Sequence, residues 1–275
     1  MGIALLAALL LASPTVAGAS TLSTAAAGLQ SGHYTTISTG LTGADLEPDN
    51  SSGSIFDWAD SGFWDSVLHK FNYVGKEAGG TSHYRNIVYD EASNSWSYGP
   101  VPLDTGNGHG YDGNSGDPAT GVHYFRPYNS NTIYKRSGSG WASLPGMSGS
   151  LSIVGGLAKS RTGVLYADAY WDVYYDDATG NKVQVQISSA YPSFPLLGDY
   201  HNVAEYDPVH DVFFVGGGNS SSAVFRVSIV NGSPVRTKMN NAPFTFGMGE
   251  GQEKVNVTAD PVTGEFVVYR KYTGD

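Results

Sequence analysis

The chain contains no cysteine. This absence excludes disulfide frameworks, thiolate metal sites and cysteine nucleophiles together. It leaves the cellular compartment open, because an exported protein can fold without disulfides. Familiar catalytic motifs are missing as well: there is no P-loop, dinucleotide fingerprint, HExxH or nucleophile elbow.

Basic residues are scarce and scattered. Lys and Arg number 15 against 25 Asp and Glu, which gives a formal net charge of −10 and a pI of about 5.0. No basic run exceeds the pairs Lys135-Arg136 and Arg270-Lys271. A nucleic-acid binder needs a clustered basic face, so the sequence predicts no nucleic-acid partner.

Long hydrophobic runs are also rare beyond the N-terminus. Apolar segments are short and are interrupted by Gly, Pro, Asn or Asp, and the chain holds 36 Gly, 13 Pro and 18 Tyr. This composition is typical of an all-β protein with many turns. Its 275 residues are compatible with one large all-β domain.

Residues 1 to 19 are predicted to be a signal peptide. An apolar run from Ile3 to Ala12 is followed by Pro14 and a small-residue site that ends at Ala19. The run is too short to span a bilayer as a helix. The basic residues that usually begin such a signal are missing, and a buried N-terminal helix is the alternative. We expect a secreted or periplasmic protein with no transmembrane segment in the mature chain.

One turn-like element recurs five times at intervals of about 50 residues. Its copies are anchored at Asp65, Asp117, Thr162, Asp207 and Asp260. An alternating strand enters each copy, Asp-Pro or an equivalent begins a tight turn, and a more apolar strand leaves it. A repeat of this period decides the fold class.

Each unit is predicted to be a four-stranded antiparallel meander. The third and fourth strands are predicted at "HYRNIVYD" and "SWSYGP", "NTIYKR" and "WASLP", "KVQVQISS" and "YPSFPLL", and "SAVFRVS" and "PVRTKM". Such units bury their faces by packing around an axis, which predicts a β-propeller. A parallel β-helix has shorter rungs, and a two-sheet sandwich would not repeat strand order at this period.

Several positions resemble the kelch repeat. They are Gly216-Gly217-Gly218 after "VFFV", Tyr89-Asp90 with Trp96 seven positions after the Tyr, and Trp141 at the matching place in the next unit. The resemblance covers roughly residues 53 to 275 and is uneven, because the third unit lacks the Gly pair and the Trp. It implies that the Tyr and Trp side chains pack between neighbouring blades.

Residues 20 to 52 are predicted to be an N-terminal segment outside the repeats. Within it, "SGHYTTISTGL" at residues 31 to 41 resembles a fourth strand without a blade of its own, and it is expected to supply the outer strand of the last blade. The units amount to four and a half blades. We therefore expect a truncated chain whose full form has six or seven blades.

The candidate site lies where the loops that enter each first strand converge on the channel mouth. His109 and His201 occupy equivalent places there, with Tyr111 and Tyr200 beside them. Histidine and tyrosine are suited to acid-base catalysis, so these four residues are the predicted catalytic set. The alternative is that each His only hydrogen-bonds to loop carbonyls.

Other polar and aromatic residues of the same loops are predicted to contact a ligand. Core packing is the alternative for Trp58, simple solvation for Glu250, and a structural ion pair for Arg126. No metal site is predicted, because "DDATGN" at residues 176 to 181 is explained by a hairpin turn. The predicted ligand contacts are Asp57, Trp58, Asp112, Asn114, Arg126, Asn202 and Glu250.

Three functional classes are implied by the resemblance to secreted kelch-like propellers. A copper radical oxidase uses a Tyr crosslinked to a Cys, which this chain lacks. A polysaccharide lyase similar to the ulvan lyases uses His and Tyr as base and acid on uronate-containing glycans. A non-catalytic module binds a glycan or a protein at the mouth. The fold selects none of them. We expect carbohydrate binding first and lyase activity second, with the cofactor unassigned and the partner an extracellular glycan or protein.

Overall fold

The computed structural model describes residues 20–30, 33, 35–40, 55, 61–76, 83–103, 110, 112–218, 221–246 and 255–270. These residues form eighteen strands and two short helices, α1 (Thr21–Ala27) and α2 (Ile187–Ala190). The strands are arranged in four sheets of four and one of two, each an antiparallel meander. We name the sheets blades A to E in chain order.

Blades A and B contain the first eight strands. In blade A they are β1 (Phe63–Asp65), β2 (Lys70–Gly75), β3 (Arg85–Asp90) and β4 (Ser95–Gly99). In blade B they are β5 (Asn114–Asp117), β6 (Val122–Phe125), β7 (Tyr134–Ser137) and β8 (Gly140–Ser143).

Blades C, D and E contain the remaining ten strands. In blade C they are β9 (Gly156–Lys159), β10 (Gly163–Ala167), β11 (Trp171–Asp176) and β12 (Lys182–Gln186). In blade D they are β13 (Asn202–Asp207), β14 (Val212–Gly217), β15 (Val224–Val230) and β16 (Ser233–Lys238). Blade E consists of β17 (Val255–Ala259) and β18 (Phe266–Arg270).

The blades pack side by side through their first strands. Strands β1, β5, β9, β13 and β17 contact one another in that order. The hydrophobic core is therefore a series of layers between sheets. One layer joins Tyr124 of blade B to Leu157 and Tyr166 of blade C, and another joins Leu165 of blade C to Phe213 of blade D. The predicted β-propeller architecture is confirmed.

The recurring turn is capped by a side-chain oxygen at the end of each first strand. Asp65 Oδ1 accepts the N–H groups of Val67 and Leu68, both at 2.9 Å, and Asp207 and Asp260 cap their turns in the same way. A short polar side chain that bonds to the backbone two residues on is the usual initiator of such a turn. The fourth residue after each capping Asp is left-handed, with φ between 53° and 75° at His69, Gly121, Asp211 and Gly264.

Blade C departs from the predicted boundaries. Its capping residue is Ser160, whose Oγ accepts the N–H groups of Thr162 and Gly163, so Thr162 was the wrong anchor. Its third strand is β11, "KVQVQ" is its fourth, and "YPSFPLL" forms no strand. The prediction passed over "WDVYYD", which is β11, so its third and fourth strands were placed one strand too late. With the shift removed, Tyr175-Asp176 stands where blade A has Tyr89-Asp90.

Residues 35–40 lie against the outer strand of blade A. Thr39 Oγ1 accepts the indole N–H of Trp96 at 2.9 Å, and the Ser38 carbonyl accepts the Asn94 amide. The described residues of this segment are not assigned to a strand. The predicted closing strand, which includes residues outside the described part of the chain, stays a prediction.

Candidate functional site

A cavity of about 500 Å³ opens on the face of the propeller from which the chain enters the first strands. The loops that join second to third strands reach the same face, because every blade is a meander. Most of its wall comes from the blade B loop between β6 and β7 and from the segment that enters β9. Its lining residues are Tyr84, Leu103, Arg126, Pro127, Tyr128, Asn129, Ser130, Asn131, Gly149 and Leu151.

Arg126 forms the floor of this cavity. Its side chain is buried, and each of its three guanidinium nitrogens donates to a main-chain carbonyl, those of Ser130, Ile153 and Ser152, at 2.8 to 3.1 Å. The guanidinium carbon also lies 4.7 Å from the centre of the Tyr166 ring. No carboxylate of the described residues pairs with it. The structural ion pair, the alternative to ligand contact, is thus not seen there, and Arg126 instead clamps the loop that enters β9.

Asp168 holds the other side of that loop. Its carboxylate accepts the Tyr166 hydroxyl at 2.7 Å and the Ser152 N–H at 2.8 Å. Burial raises the pKa of Tyr166 well above its usual value, and the nearby Arg126 charge only partly opposes this. The Tyr166 hydroxyl therefore stays protonated at neutral pH and donates its hydrogen bond to Asp168. The clamp and the carboxylate together fix the floor of the cavity before any ligand arrives.

Two tyrosines on adjacent blades, Tyr128 and Tyr170, lie near consecutive residues of the loop that enters β13. Tyr128 is near Tyr200, and Tyr170 is near Asp199, which is exposed. Burial, followed by the nearby Tyr200, raises the pKa of Tyr128. The nearby Asp199 carboxylate is the main cause that raises the pKa of Tyr170. The three tyrosines are half-buried, and Tyr128 lines the cavity.

His201 directly follows Tyr200 and has a left-handed backbone, with φ of 58°. Its side chain is half-buried, and its carbonyl accepts the Gly218 N–H at 3.1 Å. A Cβ on Gly217 would lie 2.0 Å from that carbonyl oxygen, and one on Gly218 would lie 2.0 Å from the Gly198 nitrogen. The close approach of this loop to the end of β14 explains why glycines stand there.

Three other predicted ligand contacts, Asp112, Asn114 and Asn202, are buried and bond to other blades. Asp112 accepts the Ala204 N–H at 2.7 Å, and Asn114 pairs with the main chain of Val74. The Asn202 amide donates to the carbonyls of Val154 and Gly198, while its oxygen has no donor among the described residues. These side chains join different blades to one another.

Five predicted site residues, His109, Tyr111, Asp57, Trp58 and Glu250, lie outside the described residues. Within the described part, no group of three or more His, Asp or Glu is placed to hold a metal ion. No helix there has the length and apolar character needed to cross a bilayer.

The sequence reasoning missed Tyr128, Tyr170 and Asp199. The first two lie in loops between second and third strands, in "FRPYNS" and "ADAYWD". The sequence analysis assigns only the loops that enter first strands to the mouth. In a meander the loops between second and third strands lie on the same face, and including those loops identifies Tyr128 and Tyr170 as candidates.

Comparison with known proteins gives a likeness of fold. No family model and no curated protein matches the chain. Among solved structures, an auxiliary nutrient binding protein from Bacteroides ovatus matches with 14% identity over 81% of this chain and 54% of that one, at a TM-score of 0.50. The fold is a β-propeller.

Other solved structures resemble this propeller more loosely. TolB from Acinetobacter baumannii matches at 15% identity over 76% of this chain and 50% of that one, with a TM-score of 0.45. A luciferin-regenerating enzyme matches at 12% identity over 77% and 83% of the two chains, with a TM-score of 0.42. The propeller spans about half the length of TolB and of the nutrient binding protein. These proteins differ in function, so a shared fold leaves activity to be argued from the site.

Proposed function

We propose that this chain is part of a secreted β-propeller that binds carbohydrate at its mouth without chemical turnover. The observation that carries the proposal is the cavity of about 500 Å³ bordered by the half-buried Tyr128 and the exposed side chains of Asn129 and Asn131. Tyrosine rings can pack against the apolar face of a sugar, and amides can both donate to and accept from its hydroxyl groups. A fixed floor keeps the ordering cost of binding low.

The test is binding of the purified protein to an array of extracellular polysaccharides, followed by calorimetry on the best ligand. Tyr128→Ala should weaken binding about tenfold or more, since a packed ring and one hydroxyl contact are lost. Tyr98→Ala is the matched control, because Tyr98 is 55% exposed on the outer strand of blade A. Equal loss in both variants, or no glycan ligand at all, would contradict the proposal.

A polysaccharide lyase is the second candidate. Its support is that Tyr200 and His201 are adjacent in the loop that enters β13 and are both half-buried. A lyase acting on uronates releases an unsaturated product that absorbs ultraviolet light. If such product appears and His201→Ala abolishes it while binding persists, the mouth is catalytic. If no uronate polymer yields the product, the binding function stands alone.

We further propose that the propeller is of the kelch type. Its support is the contact between Trp141 of blade B and the Pro100 carbonyl that follows blade A, a 2.9 Å indole hydrogen bond between neighbouring blades. The glycines at the end of β14, which face the loop entering β13, support the same assignment. Secretion is proposed on the N-terminal signal pattern, and mass spectrometry of the exported protein would give the cleavage point.

A further inference from the structure

The face opposite the cavity carries apolar side chains at equivalent places in several blades. This face holds the turns between first and second strands. In four of these turns the second residue after the capping Asp donates its N–H to that Asp at 2.7 to 2.9 Å, and its side chain is exposed. These residues are Val67, Ala119, Val209 and Val262, and Leu68 beside Val67 is also exposed. We name the five residues the apolar arc.

The turns of blades A, B and C touch one another. Ser66 Oγ in the blade A turn donates to the Pro118 carbonyl in the blade B turn. The buried Lys159, at the end of the first strand of blade C, pairs with the Asp117 carboxylate of blade B at 3.7 Å. The side chains of the arc in blades A and B therefore stand on neighbouring, connected turns.

The row of turns continues through blades D and E. Arg161 in the blade C turn donates to the Pro208 carbonyl in the blade D turn. A Cβ on Gly264 of the blade E turn would lie 2.6 Å from the Asp207 carboxylate of blade D. The five turns thus form one connected row across this face.

The apolar character of the arc is not explained by the turns themselves. The capping bond needs only a backbone N–H and the Asp carboxylate, so a polar residue would serve equally at the same position. The aliphatic side chains Val67, Leu68, Val209 and Val262 are 45% to 82% exposed. One exposed apolar side chain is ordinary, but a repeated one on touching turns is typical of an interaction surface.

The blade D and E end of the arc is acidic. Asp211 lies two residues after Val209, and Asp260 and Glu265 flank Val262 in the blade E turn. Asp211 and Glu265 are exposed. Within the described part of the chain, no Lys or Arg pairs with any of these three carboxylates. They are therefore available to a cation from outside.

This charge decides between occupants of the surface. Lys70 and Lys135 on the same face already pair with Asp90 and Asp177, at 3.0 and 3.3 Å, while Arg161 is exposed. The three carboxylates outweigh that single Arg. A second copy would bring the same acidic surface against this one, and an anionic membrane would be repelled. A basic partner is attracted.

We infer that the apolar arc binds a polypeptide segment of a partner protein in which apolar side chains alternate with Lys or Arg. The apolar side chains of that segment pack on the arc, and its basic groups pair with the carboxylates of blades D and E. This surface is on the face opposite the cavity, so it is independent of the proposed carbohydrate binding.

The first experiment measures the fluorescence anisotropy of two labelled synthetic peptides added to the purified protein. Both peptides contain the same Leu residues, separated by Lys in one and by Glu in the other. The protein should bind the Lys peptide about tenfold more tightly than the Glu peptide at low salt, and the difference should shrink as salt increases. Equal binding of the two peptides, or binding of neither, would overturn the proposal.

The double variant Val209→Ser with Val262→Ser tests the apolar contacts. It should weaken binding of the Lys peptide about tenfold without lowering the unfolding temperature, because both side chains are exposed. The matched control is Val235→Ser with Met239→Ser, which changes two side chains of similar exposure at the outer edge of blade D. Equal weakening in the two double variants would show that the peptide binds elsewhere.

The charged contacts are tested by Asp211→Asn with Glu265→Gln. This variant should weaken binding of the Lys peptide about fivefold at low salt and should not weaken binding of the Glu peptide. Unchanged binding of the Lys peptide would overturn the role of the carboxylates.

Light scattering and vesicle sedimentation test the other occupants. If the wild-type protein forms a dimer that Val209→Ser with Val262→Ser dissociates, the arc binds a second copy. If the wild-type protein sediments with neutral phosphatidylcholine vesicles and this variant does not, the arc binds lipid. Either result would overturn the peptide partner.

Discussion

The side-chain amide of Asn114 pairs with both main-chain groups of Val74. Its oxygen accepts the Val74 N–H and its nitrogen donates to the Val74 carbonyl, each at 2.9 Å. Asn114 begins the first strand of blade B, and Val74 lies in the second strand of blade A. The buried Asn114 side chain therefore makes the same pair of hydrogen bonds to Val74 that a residue of a paired strand would make, and it links two sheets.

Asn114→Asp keeps the acceptor and removes the donor, which leaves the Val74 carbonyl facing a carboxylate. We expect the free energy of unfolding to fall by about 2–4 kcal/mol, the usual result of a buried polar group losing its partner. Urea denaturation measures the change. Asn131→Asp, at an exposed position, should stay within about 0.5 kcal/mol of wild type. If both variants lose a similar amount of unfolding free energy, the hydrogen bonds between Asn114 and Val74 are not the cause.

Substitution of Gly217 and Gly138 by Ala distinguishes the cost of a strained backbone conformation from the cost of a steric clash. Both have positive φ, 95° and 62°, but a Cβ on Gly217 would clash with the His201 carbonyl, while one on Gly138 meets nothing within 4 Å. Gly138→Ala should cost about 1 kcal/mol from backbone conformation alone. Gly217→Ala should cost more than about 3 kcal/mol, because overpacking is added. Thermal unfolding of the two variants tests the order, and equal losses would contradict the close approach.

The buried pair of Arg236 and Asp172 joins blade D to blade C. Arg236 Nε donates to one carboxylate oxygen at 2.9 Å and Nη2 donates to the other, and both side chains are at most 1% exposed. Asp172→Ala should destabilise the fold by about 3–5 kcal/mol, since it leaves a buried charge unpaired.

The double variant Asp172→Leu with Arg236→Met removes both charges. It should recover a large part of the stability lost in Asp172→Ala, because an apolar pair avoids the desolvation penalty. Chemical denaturation of the single and double variants at one pH gives the comparison. A double variant less stable than the single one would show that the bond to the Asp168 carbonyl matters more than the ion pair.

Glu205 makes stability depend on pH. Burial raises its pKa from 4.5 to about 7, opposed by the Ala259 N–H. The protonated form is thus favoured in the folded state, so its contribution is complete below pH 4.5 and is lost as the pH rises toward 7. Because the side chain is partly exposed, we expect a loss of about 1–3 kcal/mol across this interval.

Glu205→Gln should remove this loss and should be more stable than wild type at pH 8. The measurement is the difference in unfolding free energy between variant and wild type at pH 5 and pH 8. Glu265→Gln, at an exposed position in blade E, is the control for the chemical change from Glu to Gln. A difference for Glu205→Gln that does not change with pH would contradict the assignment.

Much of the fold was predictable because turn chemistry is local. Asp65, Asp207 and Asp260 cap their turns through bonds to residues two and three positions on, and such a pattern is visible in sequence. Ser160 performs the same task in blade C with a different side chain, so the repeat was misplaced there.

The site was less predictable because its geometry depends on distant contacts. Arg126, at the end of a strand of blade B, donates to the carbonyls of Ser152 and Ile153 in the loop that enters blade C. Nothing in the local sequence states those pairings. Residue type alone could not separate Asp112 and Asn114, which bond between blades, from residues that face solvent.

The meander of each blade has a consequence for the order of folding. Strands within a blade are joined by short connections, so their pairing closes small loops and has a small entropic barrier. The bonds between blades close far longer loops: Asp112 to Ala204 spans 92 residues and Tyr124 to Asp177 spans 53. We therefore expect hairpins to form early and the contacts between blades to complete late. Substitutions such as Asn114→Asp would then accelerate unfolding while leaving the refolding rate nearly unchanged.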